Sequence, residues 1–129
     1  MDHNNEMRPE TGVRRVFIRD LEIVASVGVY EHEKRYEQRI FISTDLAVRD
    51  AYDGVSDRLN EVLDYSTLVD GIARLVQSGH VNLLETLAER IARHCLEDVR
   101  VESVRVRIEK PDAMPLCRSV GIEIERRRR

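Results

Sequence analysis

The sequence runs to 129 residues, 42% apolar and 35% charged, which makes one ordinary domain with enough aliphatic material for a single core. A net charge of −3 offers no general attraction to nucleic acid or to an anionic membrane surface, and no apolar run approaches the roughly 20 residues of a spanning helix. With no Trp and only two Phe, the core has to be built from Val, Ile and Leu.

The opening MDHNNEMRPETG is polar and lacks the apolar stretch of a secretory signal. Residues 1–13 therefore read as a tail, residues 14–126 as the domain, and 127–129 as a basic terminus. From Val16 to Val27 the odd positions Phe17, Leu21, Ile23, Ala25 and Val27 predict one face of a strand, with Ile18 and Val24 against them. GVYEHEKRYEQ, opened by Gly28, is a polar loop. From Arg39 to Asp50, Ile40, Ile42, Leu46 and Val48 alternate with polar residues, the pattern of a half-buried antiparallel strand. A charged connection, Asp50 to Asp64, leads to a change of period. Leu68, Ile72, Leu75 and Val76 fall on one helical face over Tyr65 to Ser78, and Ser78-Gly79 supplies a stop. Leu83 to Leu96 predicts a second helix with the stripe Leu84, Leu87, Ala88, Ile91 and Cys95. Two more strands follow, Val101 to Lys110 and Ser119 to Glu125. The order ββααββ implies an α+β domain: an antiparallel sheet with both helices on one face. Such a sheet leaves two long edges open, so a homo-oligomer closed into a ring is expected.

Several residues stand out chemically. Of 21 basic residues all but Lys34 and Lys110 are arginine, and Lys110 ends a strand at Pro111. It shares parity with Val104, Val106 and Ile108, so it points to the apolar side. Arginine cannot give up its proton in a protein, whereas a desolvated ammonium can be brought into the working pH range; a solvated strand end that snorkels remains the alternative. Glu85, in NLLETLAERIA, either completes a capping box with Asn82 or presents two acceptor oxygens to a planar pair of donors. Tyr65 meets the first helix at VLDY, where packing with a satisfied hydroxyl is the ordinary role. Glu33 reads locally as a solvated loop charge. The histidines lack metal-ligand spacing, Cys95 and Cys117 share no redox or metal motif, and free thiols fit a cytoplasmic chain; no metal site is expected. The terminal Arg126 to Arg129 reads as a solvated end.

Taken in order, LEIVASVGVYEHEKRYEQ, LDY, VNLLETLAERIA and IEKPDAMPLCRSVGIEIER resemble the dihydroneopterin aldolase family of folate biosynthesis, over Val16 to Arg126. The resemblance implies the tunnelling fold: ββααββ subunits in a ring of four, commonly stacked as an octamer, with active sites between neighbours and no cofactor. It also implies retro-aldol cleavage of 7,8-dihydroneopterin and leaves room for 2′-epimerisation beside it. Carried over to this sequence, Lys110 is the catalytic lysine and Tyr65 the active-site tyrosine. Glu85 anchors the pterin beside a backbone contact at Leu84, Glu33 lies near the substrate, and Gln38 supports it. Many relatives have threonine where this chain has Val62, which removes one polar contact. A dihydroneopterin triphosphate 2′-epimerase and a non-catalytic pterin-binding ring remain the alternatives.

Overall fold

The computed structural model describes residues 13–129. Strands β1 (Val13–Ala25), β2 (Gln38–Arg49), β3 (Val101–Lys110) and β4 (Val120–Arg127) form one antiparallel sheet in the order β1-β2-β3-β4. β2 and β3 are central, and their inward rows are aliphatic but for Thr44 on β2 and Lys110 at the end of β3. Ile40, Ile42, Leu46 and Val48 on β2 and Val104, Val106 and Ile108 on β3 are all fully buried. Thr44, 2% exposed in the β2 row, has a hydroxyl without a partner among the described residues. The predicted tail at 1–13 lies outside the described residues except for Val13, which opens β1.

The strand expected at Val16–Val27 differs from a simple alternation. Ile18 pairs with Thr44 but Leu21 with Ile42, so β1 carries one extra residue, with Asp20 at φ 55°. The Asp20 N–H donates to Ser43 Oγ at 2.9 Å, which fixes this bulge. The extra residue swaps parity: Val16 and Ile18 pack inward before it, and Leu21, Ile23 and Ala25 after it. Phe17, expected on the buried face, is therefore 58% exposed, with the Arg19 guanidinium 5.1 Å from its ring centre.

Two amphipathic helices cover the apolar face. The first long helix is preceded by a short one, α1 (Glu31–Arg35), within the predicted polar loop. Helix α2 (Tyr65–Val76) is capped by Asp64, whose carboxylate accepts from Ser66 N at 2.9 Å, and it buries Leu68, Ile72 and Val76. Gly79, at φ +154°, redirects the chain after it. Helix α3 (Leu84–Leu96) buries Leu87, Ala88, Ile91, Ala92 and Cys95 against β3 and β4, while α2 packs on β1 and α3. The helices approach closely at Gly71, where a Cβ would lie 2.2 Å from His94 Nε2. Asp50 to Asp64 holds only a 3-10 turn, Leu59–Glu61.

The basic terminus is part of the fold. Arg126 pairs with Glu89 on α3. The Arg128 guanidinium donates to the carbonyls of Leu96, Asp98 and Val101, which satisfies the open C-terminal end of α3. Arginine supplies several donors in one fork, so it can take three carbonyls where a solvated charge takes none.

Candidate active site

The chain leaves β1 at Ala25 and runs beside the segment that enters α3. Val27 forms a parallel bridge with Val81, Val81 N donates to Ser26 O at 3.1 Å, and Gly28 N donates to Val81 O at 3.0 Å. Gly28 has φ +134°, a conformation open to glycine and strained for other residues. A Cβ there would stand 2.2 Å from Glu33 Cδ, so the missing side chain is the space the carboxyl occupies. Glu33, on α1, thereby folds back under Gly28 and becomes buried.

Lys110 closes the other side of that carboxylate. As its parity requires, it ends the inward row of β3, and its side chain is only 13% exposed. Nζ donates to Glu33 Oε2 at 2.7 Å. Gln38 Nε2 donates to the same oxygen at 3.1 Å and to Val27 O at 2.9 Å, and the Tyr30 N–H reaches Glu33 Oε1 at 3.4 Å. Burial alone would raise the Glu33 carboxyl; the hydrogen bonds from Lys110 and Gln38, the lysine charge and the Tyr30 N–H outweigh it and hold it below its ordinary value. Glu33 is thus a buried, partnered anion and not the solvated loop charge that its local sequence suggests.

Glu85 faces the pair across a cleft of about 670 Å³, a volume suited to a small molecule. The capping box with Asn82 does not form. Leu83 occupies the cap position of α3 without any side-chain cap bond, and Asn82 lies outside it. Among the described residues nothing pairs with the Glu85 carboxylate, which sits exposed in the first helical turn and lines the cleft beside Leu84. The free N–H groups and dipole of a helix start favour a carboxylate there and leave its oxygens for a ligand. Gln38, Tyr30, Tyr36, Met114 and Gly121 are among its other lining residues.

Five of the six candidate residues, Lys110, Glu33, Gln38, Leu84 and Glu85, therefore meet in one cleft. Tyr65 does not line it. It is the first residue of α2, 65% exposed, so the packed role expected of a tyrosine there fails. Sequence reasoning missed Gly28 as the seat of Glu33, and it missed Asp112, which lines the cleft and is clasped by Arg39 (Nε–Oδ2 3.0 Å). Gly28 was visible as the residue opening the loop; Arg39 and Asp112 lie 73 positions apart and leave no local trace.

A second cleft of about 610 Å³ lies between the 3-10 turn, the start of α2 and the end of α3. Two of its carboxylates are already engaged: Asp98 with Arg100 at 2.7 Å, and Asp64 with its own helix. Burial pushes the Cys95 thiol at its wall up to about 12, so it is no nucleophile.

The family model for dihydroneopterin aldolase matches residues 16–125. A dihydroneopterin aldolase from Burkholderia thailendensis, solved bound to guanine, is 37% identical over 92% of this chain and 93% of its own, with a TM-score of 0.79. The Escherichia coli dihydroneopterin aldolase, solved in complex with neopterin, is 28% identical over 88% and 98%, with a TM-score of 0.82. A dihydroneopterin triphosphate 2′-epimerase from Pseudomonas aeruginosa is 28% identical over 91% of this chain and 95% of its own. The folic acid synthesis protein FOL1 of Dictyostelium discoideum is 34% identical over 87% of this chain, which spans only 17% of that longer protein. On a match that covers the sheet, both long helices and the cleft, this chain belongs to the dihydroneopterin aldolase family.

Proposed function

We propose that this protein cleaves 7,8-dihydroneopterin by a retro-aldol reaction to 6-hydroxymethyl-7,8-dihydropterin and glycolaldehyde. The observation that carries the proposal is the buried Lys110–Glu33 pair facing the unpaired Glu85 across one cleft. Breaking the C1′–C2′ bond leaves an electron pair on C1′. The substrate holds its own sink for it, because C1′ is attached to C6 of the conjugated C6=N5 bond. Protonation at N5 turns the pair into an enamine; a proton added at C1′ while N5 gives its own back restores the C6=N5 bond and completes the hydroxymethyl product. The protein has to take the 2′-hydroxyl proton, supply one at N5 and hold the ring still.

Glu85 suits the holding task, since a carboxylate accepts two parallel N–H bonds from the guanidine-like edge of a pterin. Lys110 is the proton carrier, acting at N5 directly or through a water, and Glu33 with Gln38 fixes where its Nζ sits. Tyr65 enters from a neighbouring copy. Its exposure supports this, as does the apolar rim of the cleft, where Val29, Tyr30, Tyr36, Leu83 and Met114 are each about half exposed or more. The free edges of β1 and β4 supply the pairing surfaces for a ring of four, or two such rings, working in the cytoplasm.

Charge separates the two enzymatic readings. The cleft carries Glu33, Glu37, Glu85 and Asp112 against Lys110, and the nearby Arg39 is held by Asp112. A triphosphate tail meets net repulsion there, so the free alcohol is the better substrate than its triphosphate. The experiment is to supply purified protein with each compound and follow glycolaldehyde release. Cleavage of the free alcohol is the expected result. Epimerised triphosphate without glycolaldehyde would make the protein an epimerase, and bound pterin without turnover would make it a binding ring. The Glu85→Gln variant should bind pterin roughly 10- to 150-fold more weakly, the loss of a charge-assisted hydrogen bond.

A further inference from the structure

Two chain segments carry the opposing halves of the cleft. The one after β1 brings Glu33, and the one after α2 brings Glu85. Besides the two backbone bonds at Val81, one side chain joins them among the described residues. His80 Nε2 lies 2.8 Å from Gly28 O, and its Nδ1 lies 2.6 Å from Ser26 Oγ. A carbonyl only accepts, so Nε2 carries the proton and donates to Gly28 O; in the neutral ring Nδ1 then accepts from the Ser26 hydroxyl. The imidazole thus spans residues 26 to 28 and holds the peptide group on which Glu33 rests.

The connection to the reacting groups is short. Gly28 is the residue whose absent Cβ makes room for the Glu33 carboxyl. On the other side of the same dipeptide, Val27 O accepts from Gln38 Nε2, which also donates to Glu33 Oε2, the oxygen bonded to Lys110 Nζ. A shift of the Val27–Gly28 backbone therefore moves Glu33 directly and through Gln38 at once. His80 itself does not line the substrate cleft. It faces a hollow behind it with Val29, Asn82, Thr86 and Arg90.

We propose that His80 is a positioning residue for the cleavage, tying the Glu33–Lys110 pair to the helix start that carries Glu85. The inference rests on the retro-aldol reading above for its catalytic consequence, and on geometry alone for the tie. A neutral hydrogen bond in such a setting is worth about a five- to tenfold change in a rate that depends on it. His80 is exposed, so its variants should fold. The test compares wild type, His80→Ala and His80→Gln, whose amide can again donate to Gly28 O. Three quantities are measured: single-turnover cleavage, affinity for pterin (which has no side chain to cleave), and amide exchange across Gly28–Glu33. His80→Ala should slow cleavage about five- to tenfold and speed exchange in that segment, with pterin affinity within about twofold because Glu85 is untouched. His80→Gln should recover most of the rate. An unchanged rate in His80→Ala overturns the proposal. So does a parallel fall of rate, affinity and thermal midpoint without recovery in His80→Gln. If wild type binds pterin but never cleaves, the retro-aldol reading falls instead, and unchanged exchange at Gly28–Glu33 in His80→Ala would overturn the tie on its own.

Discussion

Removing one partner of the Lys110–Glu33 pair and then both separates what the pair does for folding from what it does in the cleft. Their side chains are 13% and 10% exposed and meet at 2.7 Å. In Lys110→Met the Glu33 carboxylate stays under Gly28 with only Gln38 and the Tyr30 N–H for partners. Breaking a fully buried pair from one side costs about 3–5 kcal/mol. Here the cleft opens to water on one side, which reduces the cost to about 1–3 kcal/mol. For a chain of this length that is a fall in thermal midpoint of about 3–15 °C, read at fixed protein concentration because association adds to apparent stability. Glu33→Leu alone should cost a similar amount by stranding the ammonium. The double variant Lys110→Met/Glu33→Leu should return to within about 1 kcal/mol of wild type, since an apolar pair of similar volume replaces a buried ion pair with little loss. Cleavage should not return with it. Lys110→Met and the double variant should both be slower by about 10²–10⁴-fold, the usual worth of a positioned acid–base group. The assays are thermal unfolding and single-turnover glycolaldehyde release on all four proteins. A double variant no more stable than the worse single one would refute the coupling. Cleavage by Lys110→Met within a few-fold of wild type would refute proton transfer by this lysine.

Acid should loosen the same corner in a defined direction. The folded Glu33 carboxyl lies below its ordinary value of 4.5, so its contribution is complete above that value and is lost as pH falls through the lower folded one. Amide protection across Gly28–Gln38 should hold steady from neutral pH down to about 5 and fall below that, more steeply in wild type than in Glu33→Gln. Thr44→Val removes a buried hydroxyl without a partner while keeping its shape, and should raise stability by about 1 kcal/mol in denaturant unfolding. A loss of stability would mean that a solvent molecule satisfies the hydroxyl in the native protein.

The parts of the fold that were legible are those where period and burial coincide. β2 alternates throughout and β3 from Val104 onward, past a register shift between Val101 and Ser103, because both lie inside the sheet with one face under helices, and both helices carry an unbroken apolar stripe. β1 misled because a bulge leaves no signature in an apolar row. Phe17 and Leu21 share parity on paper, yet the extra residue between Ile18 and Leu21 puts them on opposite faces. The terminal arginines misled for a different reason. Arg126 finds the Glu89 carboxylate on α3 and Arg128 the carbonyls at and after its end, thirty or more positions earlier, and such partners attract a cation only once the fold has brought the two together.

The site follows the same division. Lys110 could be placed from its own strand, because parity fixes which way a side chain points whatever lies opposite. Glu33 could not, since its burial depends on the glycine five positions earlier and on a lysine 77 positions later. Glu85 was ambiguous by sequence, and the entry of α3 removes one reading: with Leu83 at the cap position, the capping box is absent and the carboxylate has no backbone duty there. The preference for lysine at 110 also gains a second physical reason. The ammonium is a compact donor that meets one carboxylate oxygen at 2.7 Å and keeps its other protons for the cleft. A guanidinium is planar and favours both oxygens of a carboxylate at once, yet Oε1 is already turned toward the Tyr30 N–H. Arginine at this position would have to displace Glu33 from under Gly28, where no side chain separates the carboxyl from the backbone. The exclusion of arginine is therefore steric as well as a matter of proton transfer, and the glycine that seats Glu33 also constrains which cation can serve it.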